Sequence, residues 1–541
     1  MKSIKKKRWV WGMVAVGVLT ALTLRKSAKA SVPTSPVKVQ GGLISGTVEG
    51  DLNVFKGIPF AAPPIGPNRW RSPQPVVAWK GVKQANNFGP APLQNKLTAM
   101  FMSQSFNVNM SEDCLYLNIW TPAKRDKQKK LPVMVWIYGG AFNSGLTSSP
   151  LYDGAMLARR GVVLVSIAYR VGPFGFLAHP DLSARNGAEN KVYGSGNYGL
   201  MDQIAALRWV QQNIAPFGGD ASNVTIFGES AGGESTSILA ASPLAKGLFH
   251  KVISESGSFF GPIRQGDEPI VGPNSLSDAE KRGKQFLERL NVKNIAEARA
   301  LSADAIQKEA TIGFKSGPVL DNYVMRDDAY RLYQAGKFND TPVLLGTNSN
   351  DGGMFTPPIK SPAQFEALVR TAMSDNADSI LAAYPHATEA QAAKSARQIL
   401  GDSIFAWGTW SWARLQNKHG KNPAYLYYFD YAPDTPDGAS HAAEIPYVFG
   451  TKESQSNAER KALSNKMQLY WTNFAKTGNP NGNGLEKWPA YGEPKAQALK
   501  FGSNISTGPV PNLKQLEALD LYFAGLRASR ALKNYSSRDS K

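Results

Sequence analysis

The chain has 541 residues, and its 42% hydrophobic content excludes a largely disordered protein. Its formal net charge is +19, but residues 1–30 contain eight basic and no acidic residues, which leaves 53 basic and 42 acidic residues, a net charge of +11, on 31–541. No nucleic-acid-binding motif accompanies this surplus, so we expect no nucleic-acid partner. Cys114 is the single cysteine, which excludes an intrachain disulfide.

The N-terminus has the layout of an export signal. Basic residues crowd positions 2–8, an apolar run covers 9–24, and Ala28-Lys29-Ala30 offers a small-residue cleavage site. We predict cleavage after Ala30, which would release one domain, 31–541, into the periplasm or the medium, without stable membrane insertion. The alternative is an uncleaved membrane anchor, although the apolar run is short for a membrane span.

Strand and helix patterns alternate along the rest of the chain. The segment 37–79 predicts small antiparallel edge strands. Buried strands are then predicted, in chain order, at 133–138, 162–169, 224–227, 251–254, 343–346 and 425–429, with helices at 202–214, 235–241 and 457–477. This alternation predicts an α/β fold with a large, mostly parallel sheet and helices on both faces.

Two polar, helical stretches interrupt the alternation. Residues 267–340 and 361–419 are predicted to be insertions that pack over the carboxyl edge of the sheet, where α/β enzymes build their pockets. The tail after Ala528 is basic and polar, and we predict that it is frayed.

The most informative motif is Gly228-Glu229-Ser230-Ala231-Gly232, a G-x-S-x-G sequence between a predicted strand and a predicted helix. Such a turn is too sharp for a Cβ beside the serine, and it lifts the hydroxyl out of the sheet edge. The alternative is a plain structural turn. The flanking elements favour Ser230 as a nucleophile.

A serine nucleophile needs a base and an acid, which follow it in chain order in this type of fold. Of the five histidines, His441 fits, because it lies in a polar loop after the late strand 425–429. Asp351 follows strand 343–346 and lies between Ser230 and His441 in sequence, although it could be an ordinary turn residue beside Gly352. The competing carboxylates are Asp321, Asp437 and Glu444.

The reaction also needs N–H donors for the developing oxyanion. A glycine-rich loop follows the strand 133–138, and the predicted donors are the N–H groups of Gly140, Ala141 and Ala231. The scattered histidines and the single cysteine predict no metal site, and we expect no cofactor.

Several longer motifs carry a resemblance to a known family. They are Phe55-Lys56-Gly57-Ile58-Pro59-Phe60, Glu112-Asp113-Cys114-Leu115-Tyr116-Leu117-Asn118, Gly196-Asn197-Tyr198-Gly199-Leu200-Met201-Asp202-Gln203, Phe217-Gly218-Gly219-Asp220 and Trp471-Thr472-Asn473-Phe474-Ala475. With the motif around Ser230, they make nearly the whole of 31–541 resemble the type-B carboxylesterase family, which includes bacterial para-nitrobenzyl esterases and animal cholinesterases.

This resemblance implies an α/β-hydrolase fold and the same three catalytic residues and three oxyanion donors. It adds Glu229 and Ser256 as residues that support the site through hydrogen bonds. Many members have glutamate where this chain has Asp351, and the family cysteine that corresponds to Cys114 lacks its disulfide partner here.

We therefore expect an exported serine carboxylesterase that hydrolyses a small-molecule ester through an acyl-enzyme on Ser230. The alternatives are a non-catalytic binding or adhesion module and a lipase. The basic surplus makes an anionic or polycarboxylate ester worth testing. The sequence leaves the acyl and alcohol preference and the oligomeric state open.

Overall fold

The computed structural model describes residues 32–536, apart from 127, 191–193, 267, 269–270 and 493–495. The predicted export signal and its cleavage site lie outside the described residues. The strands of the described part are β1 Val32–Pro33, β2 Val37–Val39, β3 Gly42–Ser45, β4 Thr47–Glu49, β5 Leu52–Pro59, β6 Val82–Gln84, β7 Tyr116–Pro122, β8 Leu131–Ile137, β9 Val163–Ile167, β10 Gly219–Glu229, β11 Lys251–Glu255, β12 Val343–Asn348, β13 Ala424–Phe429, β14 Gln497–Phe501 and β15 Ile505–Pro509.

Helices separate the central strands. They are α1 Lys96–Ser103, α2 Ala155–Ala158, α3 Gly172–Phe176, α4 Pro180–Asn190, α5 Tyr198–Asn213, α6 Ala231–Ala241, α7 Leu276–Arg289, α8 Ile295–Ala300, α9 Ala303–Gly313, α10 Ala329–Gln334, α11 Pro362–Met373, α12 Ala377–Ala383, α13 Glu389–Gly401, α14 Trp407–His419, α15 Ile445–Phe449, α16 Ala458–Thr477 and α17 Leu513–Ser536. A short π-helical stretch, Asp402–Ala406, joins α13 to α14.

Twelve strands form one sheet in the order β1-β4-β5-β7-β9-β8-β10-β11-β12-β13-β14-β15. The seven strands from β9 to β14 in this order run parallel to their neighbours, whereas the pairs at both edges are antiparallel. The predicted α/β fold with a mostly parallel sheet is therefore confirmed. The predicted edge strands in 37–79 are found too, and β2, β3 and β6 form a separate three-stranded sheet.

The central strands are nearly continuous apolar runs because helices cover both faces of a parallel sheet. All residues of β9 and β11 are buried, and the aromatic rings of Trp136, Phe227 and Phe449 pack together, with centroids 4.9 Å to 5.8 Å apart. At the carboxyl ends of β8 and β9, the rings of Tyr138 and Tyr169 stack on each other. The hydroxyl group of each donates a hydrogen bond of 2.9 Å to the backbone carbonyl of the other.

The predicted insertions and the predicted helix over 457–477 are present. Helices α7 to α10 and α11 to α14 lie within the two polar stretches, and α16 begins after an Asn457 cap and ends at Gly478, whose φ is +81°. The tail after Ala528 was predicted to be frayed, but α17 continues through its first part to Ser536, and residues 537–541 lie outside the described part of the chain. Contacts from Arg530 to Glu268 and to the carbonyl of Ile263 hold this helix against the first insertion.

The topology brings the predicted site together. The candidate residues follow the carboxyl ends of five neighbouring parallel strands: Gly140 follows β8, Ser230 follows β10, Ser256 follows β11, Asp351 follows β12, and His441 lies in the segment after β13. In open parallel sheets this edge carries the ligand site.

Candidate active site

Ser230 occupies a strained turn between β10 and α6. Its φ of +55° and ψ of −127° are rare for a residue with a Cβ, and such strain persists only where the surroundings enforce it. Its N–H donates to the carbonyl of Glu255 at 2.9 Å, and its own carbonyl accepts from the N–H of Glu234 at 2.8 Å. A Cβ on Gly232 would lie 2.0 Å from the carbonyl oxygen of Ile137, so α6 starts directly against the end of β8.

His441 and Asp351 are in contact. His441 Nδ1 lies 2.9 Å from Asp351 Oδ1, and Asp351 is only 3% exposed. The second carboxylate oxygen of Asp351 accepts hydrogen bonds of 2.8 Å from the Ser256 hydroxyl and from the N–H of Asn348. These contacts fix the carboxylate so that it can hold the imidazole in one orientation, with the proton on Nδ1.

Glu229, the last residue of β10, faces the other nitrogen of the same imidazole. Its Oε1 lies 3.1 Å from His441 Nε2. Burial lowers the pKa of His441, but the charges of Glu229 and Asp351 outweigh burial and raise that pKa to about 9. Burial raises the pKa of Glu229 to about 7 against the opposing effect of His441. The imidazole therefore titrates between two carboxyl groups.

A further buried carboxyl group, that of Glu444, lies near Glu229 and His441. Glu444 is fully buried, and burial together with Glu229 raises its pKa to about 8. It accepts a hydrogen bond of 2.5 Å from the amide of Asn348, which also donates to the carbonyl of Ser440. Asn348 thus ties the end of β12 to the segment that carries His441.

Glu255 lies beside Glu229 in the sheet, because the two residues are register partners at the ends of β10 and β11. Its carboxylate accepts a 2.7 Å hydrogen bond from the indole of Trp471, and burial raises its pKa well above the usual value. Sequence reasoning missed Glu255, Asn348 and Trp471 as parts of the site, and only the pairing of the strands identifies them.

The glycine-rich loop after β8 lies beside Ser230. Gly139 is so close that an added Cβ would be 2.9 Å from Ser230 Cβ. Gly140 has a φ of +117° and Ala141 a φ of +53°, and the carbonyl of Gly140 accepts from the N–H groups of Asn143 and Ser144 at 3.0 Å. This bonding folds the loop into a tight turn at the start of α6, where Ala231 is the first residue.

A cavity of about 210 Å³ opens over Ser230, Ala141 and Ala231. Two aromatic rings line it and flank the imidazole of His441. The ring of Phe405, in the second insertion, stacks on the imidazole with ring centres 4.5 Å apart, and the ring of Phe355, in the segment after β12, meets it edge-on at 5.5 Å. Both insertions contribute to the cavity wall, as the sequence predicted. Neither phenylalanine carried a sequence signal for this role.

Of the competing carboxylates, Glu444 lies near His441, as described above, whereas Asp321 and Asp437 lie in other environments. Asp321 Oδ1 accepts from the N–H groups of Tyr323, Val324 and Met325 in a turn, and exposed Asp437 pairs with Arg397 at 2.8 Å. The remaining histidines are His179 and His250, which each accept from a backbone N–H, His386, which contacts a backbone carbonyl, and exposed His419.

Cys114 is 1% exposed and free, and burial raises the pKa of its thiol well above the usual value. Within the described residues, no group of three or more His, Cys, Asp or Glu side chains is placed to hold a metal ion. No helix in the same part of the chain is both long and apolar enough to cross a bilayer.

Comparison with known proteins agrees with this geometry. The family model described as "Carboxylesterase family" matches residues 29–518. A fumonisin B1 esterase from Sphingopyxis macrogoltabida is 36% identical over 510 residues, which cover 91% of this chain and 91% of that protein. A para-nitrobenzyl esterase from Bacillus subtilis is 35% identical over 503 residues, covering 89% of this chain and 98% of the relative.

Solved structures of esterases are also similar to this chain. A PNB esterase superposes with a TM-score of 0.77 at 33% identity, and a thermophilic PNB esterase superposes with a TM-score of 0.78 at 32% identity. Each comparison covers 90% of this chain and 99% of the other. With an α/β-hydrolase fold and this similarity over nearly its whole length, the chain belongs to the carboxylesterase family and is a carboxylic ester hydrolase.

Proposed function

We propose that the chain is an exported serine esterase that works through an acyl-enzyme on Ser230. The observation that supports this mechanism most directly is the pair of His441 Nδ1 and Asp351 Oδ1 at 2.9 Å, at the same sheet edge as the strained Ser230 turn. Since the arrangement provides a hydroxyl, an imidazole and an orienting carboxylate, it fits the Ser-His-Asp type of acyl transfer.

In the first half of the reaction, Ser230 Oγ attacks the ester carbonyl while His441 Nε2 accepts the hydroxyl proton. The N–H groups of Gly140, Ala141 and Ala231 stabilise the oxyanion. His441 then returns the proton to the leaving alcohol. In the second half, the same imidazole activates a water molecule, which releases the acid and regenerates Ser230.

The mechanism requires a neutral imidazole, because Nε2 has to accept a proton. Glu229 raises the pKa of His441. At low pH this lowers the fraction of neutral imidazole that can accept a proton. During attack, the same charge stabilises the imidazolium that forms. We propose that Glu229 and Ser256 support the site: Glu229 through the charge state of His441, and Ser256 by holding Asp351.

The substrate is a small carboxylic ester. Because one relative is named as a fumonisin B1 esterase and another as a para-nitrobenzyl esterase, fumonisin B1 and para-nitrobenzyl esters belong in the substrate panel. Short aliphatic esters complete the panel, since they fit a cavity of about 210 Å³.

The test is Ser230→Ala. We expect the variant to lose hydrolysis of para-nitrophenyl butyrate by about 10⁴-fold or more, with an unchanged circular dichroism spectrum and melting temperature. Turnover close to that of the parent chain would overturn the assignment of the nucleophile. An inactive parent chain would favour a non-catalytic binding module, and a jump in rate once substrate forms droplets would favour a lipase.

A further inference from the structure

The loop that follows β8, residues 139–145, has a strained backbone. Ala141 and Phe142 have φ values of +53° and +58°, which are rare for residues with a Cβ, and Gly140 and Gly145 have φ values of +117° and +138°. Such conformations persist only where the surroundings enforce them. Since the proposed oxyanion donors Gly140 and Ala141 belong to this loop, the contacts that enforce its shape also place the donors.

The middle of the loop is held at Phe142. Its carbonyl accepts a hydrogen bond of 2.7 Å from the N–H of Gly172, the first residue of α3. Its ring packs edge-on against the rings of Phe176 and Phe259, with centroids 5.1 Å and 6.4 Å away. These contacts fix one point of the loop, and its far end needs a separate anchor.

The far end of the loop is held by Gln94, which is 2% exposed. Its Nε2 donates to the carbonyl of Gly145 at 2.8 Å, and its Oε1 accepts from the N–H of Gly145 at 2.9 Å. The same Nε2 also donates to the carbonyl of Pro92 at 2.9 Å. One amide thus pairs with both backbone groups of a buried glycine, and its loss would leave those groups without partners away from water.

Gly145 connects this anchor to the nucleophile. A Cβ on Gly145 would lie 2.1 Å from the ring of Tyr138 and 2.8 Å from the carbonyl oxygen of Gly139, so the two ends of the loop are in close contact. Gly139 in turn lies directly beside Ser230. Because close-packed interiors transmit small displacements, a shift of Gly145 changes the position of the whole loop relative to Ser230.

The backbone on both sides of Gln94 is fixed as well. The N–H of Ala91 donates to the carbonyl of Asn109, and the carbonyl of Ala91 accepts from the N–H of Ser111, both at 2.9 Å. On the other side, Asn95 caps the start of α1. The amide of Gln94 is therefore a rigid anchor, which is what a preorganised site requires.

We propose that Gln94 is a positioning residue, which places the N–H groups of Gly140 and Ala141 for the oxyanion. The inference rests on the proposed function, since it takes these groups as oxyanion donors. Gln94 lies outside the set of described residues that line the cavity over Ser230, so it acts through the loop backbone. Its effect belongs to the step in which charge develops on the carbonyl oxygen, and not to binding of the neutral ester.

The first experiment compares Gln94→Met with the parent chain on para-nitrophenyl butyrate. Methionine has a similar length but offers Gly145 neither a donor nor a comparable acceptor. We expect kcat to fall by about tenfold or more and KM to stay within about threefold, because the donors are displaced and the cavity is not.

The matched control is Gln416→Met. Gln416, in α14, is also fully buried, and its amide donates to the carbonyl of Asn422 at 3.1 Å and to Asp340 at 2.6 Å. The control removes an equally buried amide that has no contact with the loop. It should lower the melting temperature and leave kcat within about twofold.

The second experiment measures inhibition by an alkyl trifluoromethyl ketone. Ser230 Oγ adds to the ketone carbon, the carbonyl double bond becomes an oxyanion, and the hydroxyl proton passes to His441. We expect Ki in Gln94→Met to rise by about the factor by which kcat/KM falls, since inhibitor and transition state use the same donors. The acidic limb of the kcat/KM profile should stay in place, because the substitution leaves the carboxyl groups around His441 unchanged.

A purely structural role for Gln94 predicts a different pattern. A smaller folded fraction would lower the apparent kcat and leave both KM and Ki unchanged. That pattern would overturn the proposal, and so would a loss of the same size in Gln416→Met.

Gln94→Asn keeps the experiment decisive if Gln94→Met does not fold. Its amide is one methylene shorter and cannot reach both groups of Gly145, so we expect a smaller change in kcat and Ki in the same direction. Parent-like values in a folded Gln94 variant of an active chain would overturn this inference alone. An inactive parent chain would overturn the proposed function together with it.

Discussion

His441 lies between two carboxyl groups, one at each ring nitrogen. Asp351 holds Nδ1 at 2.9 Å, and Glu229 lies 3.1 Å from Nε2. The first contact orients the ring. The second favours the protonated imidazole, because a nearby negative charge stabilises it, so the neutral imidazole that can accept a proton is reached only at higher pH. We therefore propose that Glu229, the residue immediately before Ser230, tunes the pH range of the enzyme.

The prediction at this scale concerns Glu229→Gln. We expect kcat/KM of the parent chain to rise with pH as the imidazole loses its proton, because Glu229 and Asp351 raise the pKa of His441 to about 9. Removing the Glu229 charge destabilises the imidazolium and lowers that pKa. We expect the acidic limb of the kcat/KM profile to move to lower pH by about one unit or more.

The control for that profile is Asp437→Asn, in the same loop as His441. Asp437 is exposed and pairs with Arg397 rather than with the imidazole, so its removal should leave the acidic limb in place. An unchanged limb in Glu229→Gln would contradict the proposed tuning.

At the scale of elements, the contact between β8 and α6 sets the geometry of the site. Helix α6 carries Ser230 at its start, and the loop after β8 carries Gly140 and Ala141. At Gly232 the helix touches the end of β8 so closely that no side chain fits, since a Cβ would lie 2.0 Å from the carbonyl oxygen of Ile137. The distance between Ser230 and the proposed oxyanion donors Gly140 and Ala141 depends on this contact.

We therefore expect Gly232→Ala to lower the free energy of unfolding by about 1–3 kcal/mol and to reduce kcat, because the new methyl group pushes α6 away from β8. Gly525→Ala in α17 is the matched control, since a Cβ there has open space within 4 Å. It should be neutral or stabilise by about 0.5–1 kcal/mol. Chemical denaturation measures both, and equal stability of the two variants would refute the role of the contact.

The order of the strands made part of this site predictable from the sequence. Ser230, Asp351 and His441 each follow a strand, and chain order alone placed them at one edge of the sheet. Glu444, Asn348 and Glu255 could not be assigned, because their roles depend on which strands are neighbours and on the register of β10 with β11. Phe405 lies in the second insertion, whose packing no periodicity predicts.

At the scale of the whole molecule, residues 1–28 differ from the following residues in lying before the family match. The carboxylesterase family match begins at residue 29, beside the predicted cleavage site after Ala30. Residues 1–28 therefore lie outside the part of the chain that matches the family. This boundary supports the proposal that the segment serves export.

We predict that the full chain, expressed in a Gram-negative host, yields a periplasmic or secreted enzyme that begins at Ser31. Mass spectrometry of the N-terminal peptide tests this directly. Replacing both small residues, Ala28→Leu with Ala30→Leu, should block processing, because the signal peptidase requires small side chains there. An active chain that retains residues 1–30 would indicate an anchor instead.

Cys114 has a practical consequence. Since its thiol is sealed in the interior, a cysteine introduced at the surface would be the sole group to react with a maleimide dye. Met354 is a suitable position, because it is 72% exposed and directly precedes Phe355, which lines the cavity. A fluorophore on Met354→Cys would report ligand entry in real time, without a cysteine-free background having to be built first.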